Sequence, residues 1–218
     1  MTTYTFSKGI SDNPGFRGGG QGLSAAGAQD VLNRTAEKGL ADLDHRHRFT
    51  VASVYELPFG RNSRGLLKHV IGGWATDGIV QVQTGLPLTP QHTGDIGSMG
   101  TNQALRPDLV CNPNLPSGEQ TAEKFFKTEC LALQTPMRYG TAGRSVITGP
   151  GTIGVDLSVR KMFKITEKIN LQFRSEFFNA TNHPNLNPPN KLLGNALFGR
   201  VTSARDPRIV QFGLKLAF

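Results

Sequence analysis

"RIVQFGLKLAF", residues 208–218, alternates with a period of two. Val210, Phe212, Leu214, Leu216 and Phe218 fall on one side of an extended chain; Gln211, Gly213, Lys215 and Ala217 fall on the other. That period is a strand's. Most domains trail off in a few loosely held polar residues. Here an aromatic-anchored strand, oily on one side only, runs to the last residue, so it separates two unlike environments.

The same pattern recurs upstream. "TTYTFSK" (residues 2–8) places Tyr4 and Phe6 together. In "RFTVASVYEL" (48–57), Phe49, Val51, Tyr55 and Leu57 share a face with Ser53; Thr50, Ala52 and Glu56 oppose them, with Val54 out of pattern. In "GWATDGIVQVQTG" (73–85), Trp74, Val80 and Val82 oppose Asp77, Gln81 and Gln83. "GVDLSVRKMFKI" (154–165) sets Val155, Leu157, Val159 and Phe163, with Lys161 among them, against Asp156, Ser158, Arg160 and Lys164. "INLQFRSEFFNA" (169–180) sets Ile169, Leu171, Phe173 and Phe177 against Asn170, Gln172, Arg174 and Glu176. About six strands are expected, and each carries charge on its polar face.

The connections alternate in length. Residues 9–44, 86–152 and 181–204 are long; 58–72 is shorter, and "TEK" (166–168) is minimal. A soluble sandwich also alternates, but lopsided loops of this kind belong to outer-membrane barrels, with short periplasmic turns and long external loops. Hydrocarbon demands apolar side chains outside, a wet lumen accepts charge inside, and backbone pairing forces closure. The expected fold is therefore all-β: antiparallel up-and-down strands forming the last part of a transmembrane outer-membrane β-barrel. Asp77, Gln81, Gln83, Asp156, Arg160, Arg174, Glu176 and Lys215 would face the lumen, with ion pairs forming between neighbouring strands. Trp74, Phe163 and Phe218 lie near strand ends, where an aromatic girdle belongs. The terminal set Val210, Phe212, Leu214, Leu216 and Phe218 would close the barrel and be read by the barrel assembly machinery. A secreted or surface β-sandwich binding or adhesion module is the alternative.

Composition agrees. Hydrophobic residues are 37% of the 218, while Gly 26 and Pro 13 punctuate short extended pieces. No run approaches the ~20 apolar residues of a spanning helix. The net charge of +8 is scattered, which argues against a nucleic-acid partner. Residues 28–40 leave room for a short helix. Cys111 and Cys130 flank a polar loop, which suggests a disulfide in an oxidising compartment; two free thiols are the alternative.

No motif points to an enzyme, a cofactor or a metal. "GPGTIG" (149–154) spells G-x-G-x-x-G but precedes a strand, where a dinucleotide site needs it to follow one. Asp42, Asp44, His45 and His47 are ligand types without helical zinc spacing, and suit the polar mouth of a barrel. Glu56, Asp156 and Glu176 suit lumen lining better than paired catalysis.

The stretches "DLDHRHRFTVASVYELPFGR" (42–61), "GGWATDGIVQVQTGLPLT" (72–89), "GTAGRSVITGPGTIGVDLSVRKMFKITEKINLQFRSEFFNATNHPN" (140–185) and "FGRVTSARDPRIVQFGLKLAF" (198–218) together resemble the C-terminal end of Oar-like TonB-dependent receptors. The resemblance implies a carboxypeptidase-regulatory-like domain, a plug and a barrel of about 22 strands. Residues 1–218 correspond only to the barrel's C-terminal segment, without signal peptide or plug, so the expectation is a fragment not competent alone. The implied partners are outer-membrane lipid, an unknown ligand at the external loops, chiefly 86–152, and an inner-membrane energy-coupling complex reached through the missing N-terminal part.

Overall fold

The computed structural model describes residues 1–12, 28–30, 32–59, 70–92 and 105–218. Parts of the glycine-rich run 9–22, of the turn 58–65 and of the long connection 86–152 lie outside the described residues. Six long strands form one sheet: β1 (Thr2–Phe6), β2 (His47–Glu56), β3 (Trp74–Gln83), β4 (Thr152–Lys164), β5 (Asn170–Phe178) and β6 (Ile209–Ala217). They lie side by side in chain order, every neighbour antiparallel. The protein is all-β, an up-and-down meander. β1 and β6 do not pair with each other among the described residues, so the sheet is open.

Register carries the alternation of each strand into its neighbour. Residues directly opposite share a face. Tyr4 meets Phe49, Phe49 meets Val82, and Val82 meets Ile153. Further along, Leu157 meets Phe177 and Phe177 meets Val210, while Phe173 meets Leu214 and Leu171 meets Leu216. One predominantly apolar face thus runs across all six strands, with Ser53, Gly78, Lys161 and Ser175 set into it. A one-residue slip at any junction would reverse it. No second sheet covers it among the described residues: Phe212 is 71% exposed and Leu214 73%. This is not the sandwich alternative, which would bury one face of each strand.

The turn between β4 and β5 is closed locally. The Thr166 hydroxyl accepts from Ile169 N–H at 3.0 Å, and Ile165 N–H donates to Ile169 C=O at 3.0 Å. At that same end Lys161 is buried on the apolar face. Its Nζ lies 4.7 Å from the centre of the Trp74 ring and 4.9 Å from that of Phe163, and it donates to Val70 C=O. Trp74, Phe163 and Phe218 share this short-turn end.

The buried core is elsewhere. Leu88, Phe125, Phe126, Leu131, Ala142, Ile147 and Val201 pack together, with Leu109, Val146, Leu186 and Phe198 against them. All come from the connections 84–151 and 179–208. The described part of the long connection 86–152 is a folded cap with short ladders, Pro87–Leu88 with Ile147–Thr148 and Asp108–Leu109 with Leu131–Ala132. The helix expected across 28–40 does not form among the described residues. Among the described residues there, only Arg34–Glu37 forms a 3-10 turn, capped by Asn33, and Gly39–Leu40 pairs with Ile10–Ser11. The Gln29 and Glu37 side chains are drawn inward to an arginine, which overrides local propensity.

Candidate functional site: a stapled cap on a two-faced wall

All three long connections, 7–46, 84–151 and 179–208, leave the sheet at one end. The connection 57–73, the turn 165–169 and Phe218 lie at the other. This sidedness follows from an antiparallel meander, and it gathers the loops into one body.

Two kinds of contact hold that body together. The connections 84–151 and 179–208 share the apolar core, where Phe126 meets Phe198 edge-on at 5.3 Å. Gln91–His92 pairs in parallel with Leu192–Leu193, and Val201 N–H donates to Ala122 C=O at 2.8 Å. The connection 7–46 is held instead by buried charge. Arg106, 2% exposed, donates from Nη1 to Glu37 Oε2 at 2.8 Å, and its N–H donates to Gln29 Oε1 at 2.7 Å. Gln29 N–H donates to Glu37 Oε1 at 3.0 Å, and Gln29 Nε2 to Gly140 C=O at 3.0 Å. Arg144 donates from Nη1 to Glu37 C=O at 3.1 Å and from Nη2 to Asp42 at 3.4 Å. A burial this complete is tolerated only when ions are paired and hydrogen-bonded.

Two glycines allow the close approaches. A Cβ on Gly140 would lie 1.9 Å from Arg106 C=O, and one on Gly85 would lie 1.7 Å from Gly149 C=O. The second contact explains the "GPGTIG" run. Gly149 backs onto Gly85, and Gly154 already lies within β4.

Cys111 and Cys130 are bonded, with Cα atoms 4.8 Å apart. The bond closes a loop of separation 19 that carries Phe125 and Phe126 into the core. Replacing both cysteines with serine is expected to cost about 3 kcal/mol of cap stability on the entropic account. A urea melt with and without reductant measures it; unchanged midpoints in both comparisons would remove the staple's role.

The charges of the cap are tuned by their surroundings. The Arg138 guanidinium holds the Asp108 carboxyl below its usual range; burial opposes this, and the Thr141 N–H assists at 3.0 Å. Burial lowers Lys191 to about 8, with Asp42 pulling the other way. An unfolded lysine binds its proton up to about 10.4. Between pH 8 and that value the unfolded chain therefore holds the extra proton, and stability rises with pH. The cap's resistance to melting is expected to rise across this window by on the order of 2 kcal/mol. The rise should disappear in Lys191→Met; an identical pH profile for the two proteins contradicts it.

The residues singled out on the strands come together on one face. Asp77, Gln81 and Gln83 (β3), Asp156 and Arg160 (β4), Arg174 and Glu176 (β5) and Lys215 (β6) all lie opposite the apolar side. Arg160 Nη2 lies 3.6 Å from Asp77 across β4 and β3. Arg174 Nε lies 2.7 Å from Glu176 on its own strand, and Gln211 of β6 donates to Glu176. Asp156 accepts from Asn179 N–H at 2.9 Å.

Asp42, Asp44, His45 and His47 do not converge. Asp42 meets Arg144, Asp44 accepts from Gly9 N–H at 2.6 Å, the His45 ring bonds Thr84 C=O at 2.7 Å, and His47 stacks near Tyr4 and Phe6. No group of three or more His, Cys, Asp or Glu among the described residues could hold a metal. Sequence reasoning missed Gln29, Glu37, Arg106, Arg144 and Lys191, which occupy irregular loops where no period marks burial.

A two-faced antiparallel meander with every long connection on one side defines the outer-membrane β-barrel class of protein. Residues 1–211 match the family described as outer membrane beta barrel domain, and the chain belongs to that family. It is an outer-membrane protein. No curated protein and no solved structure matches it. Among the described residues no helix is long and apolar enough to cross a membrane, which says nothing of strands.

Proposed function

We propose that the chain forms the last strands of a transmembrane receptor barrel of the TonB-dependent, Oar-like kind, with the cap as its outer, ligand-meeting surface. The observation that carries this reading is the predominantly apolar face that spans all six strands, joined to a polar face and a single-sided cap. β2 to β6 have 9 to 13 residues each, against the ~9–11 that a tilted strand needs to cross a bilayer. The apolar face then contacts outer-membrane lipid and the polar face lines the lumen. The six long strands among the described residues are fewer than the eight of the smallest single-chain barrels, and open edges are not tolerated in hydrocarbon. Closure therefore takes further strands, as in a larger receptor whose plug and energy-coupling segment engage the inner-membrane complex. On this reading residues 1–218 alone do not drive uptake, catalyse no reaction and bind no nucleic acid. The barrel assembly machinery reads the terminal strand ending at Phe218.

The test is sidedness in intact cells producing the receptor. After mild reduction, Cys111 should react with a membrane-impermeant maleimide added outside. With both native cysteines replaced by serine, a cysteine at Lys168 in the short turn should react only after the outer membrane is permeabilised. The reverse pattern refutes the proposed orientation.

A further inference from the structure

The charges on the polar face are largely segregated along the strands. Toward the cap it carries Asp77, Asp156 and Glu176 with one cation, Arg48; toward the short turns it carries Arg160, Lys164, Arg174 and Lys215 against one carboxylate, Glu56. In the register Arg160 lies directly opposite Arg174, and Arg174 directly opposite Gly213. Lys215 is on the adjacent row, diagonal to Arg174, a spacing of roughly 7–8 Å between backbones. Like charges placed opposite each other repel. Their carboxylate partners, Asp77 and Glu176, both approach from the cap side. The Arg160 and Arg174 side chains remain 38% and 53% exposed. A side chain on Gly213 would meet nothing within 4 Å, and Arg160 is flanked on its other side by Ala75. Open space therefore lies over Gly213, beside Arg174 and one row from Lys215.

We infer that Arg160, Arg174 and Lys215 form a binding site for the phosphate group of a free solute, seated over Gly213. Two planar forks and a third cation suit a dianionic oxyanion, which accepts paired hydrogen bonds from arginine. A lipid headgroup is not the occupant, because the apolar face that lipid would cover is the opposite one. The bound anion removes the repulsion between the two arginines and balances the surplus charge of this half of the face.

The test is calorimetric titration of inorganic phosphate into the whole chain, folded in a phosphate-free detergent at neutral pH and low salt. Saturable binding of one phosphate per chain is expected. Arg160→Gln and Arg174→Gln should each weaken it at least tenfold. Gly213→Asp should do the same with both arginines in place, by setting a carboxylate in the space. Lys124→Gln on the cap should leave it unchanged. Absence of saturable heat in the folded wild type, or equal affinity in all variants, overturns the site. If the chain proves soluble without detergent, the membrane reading fails, and the same titration still decides this one.

Discussion

Arg106→Ala is expected to loosen the cap by about 3–5 kcal/mol, because it strands a carboxylate with no exposure to water. Glu37 is fully buried, and Arg106 supplies its charge partner at 2.8 Å. The truncation also removes the Nη2 bond to Ala36 C=O at 3.4 Å. The connection 7–46 then loses its strongest link to 84–151. Chymotrypsin cleavage after Phe125 and Phe126 reports the loss, since both rings are buried only while the cap is folded. A double replacement, Arg106→Met with Glu37→Gln, should recover much of the stability by removing the stranded charge along with its partner. Cleavage of Arg106→Ala at the wild-type rate would show that the buried pair does not hold the cap.

Leu214→Arg should have a comparable effect at a different place. Leu214 lies on the apolar face opposite Phe173, near the middle of β6. An arginine on the lipid side near the bilayer midplane costs ~2–4 kcal/mol. Three residues away, Gln211 faces the polar side next to Glu176. Gln211→Arg puts the same charge on the same strand beside a carboxylate, so it should be tolerated. The expected result is a protein lost from the outer-membrane fraction for Leu214→Arg and retained for Gln211→Arg. Equal levels would mean that the two faces do not meet different media. Phe218→Asp should also lower outer-membrane levels through failed assembly, with the cap still resistant to protease if the chain is refolded in detergent.

These two replacements divide the molecule into what could be read in advance and what could not. The strands were legible residue by residue. Phe49, Val51 and Tyr55, or Val155, Leu157 and Val159, declare their face by a period of two, which holds wherever one side of a strand meets an apolar medium. The separation of short and long connections was legible for the same reason, since an antiparallel meander must return its chain to alternate ends. Cys111 and Cys130 were legible as a pair by nearness in sequence.

The cap was not legible. Glu37, Arg106 and Arg144 lie far apart in sequence and within irregular loops, so no spacing announces that they meet. A helix across 28–40 was a reasonable expectation from local propensity, yet tertiary pairing drew Gln29 and Glu37 into a buried network instead. The sequence by itself determined a two-faced antiparallel wall with its loops sorted to one side, because strand alternation and chain return are local consequences of backbone geometry. Only the tertiary structure decided that the loops form a solid cap, and that Arg160 lies directly opposite Arg174. Burial of charge and cross-strand register arise from contacts between distant segments, and local pattern does not encode them.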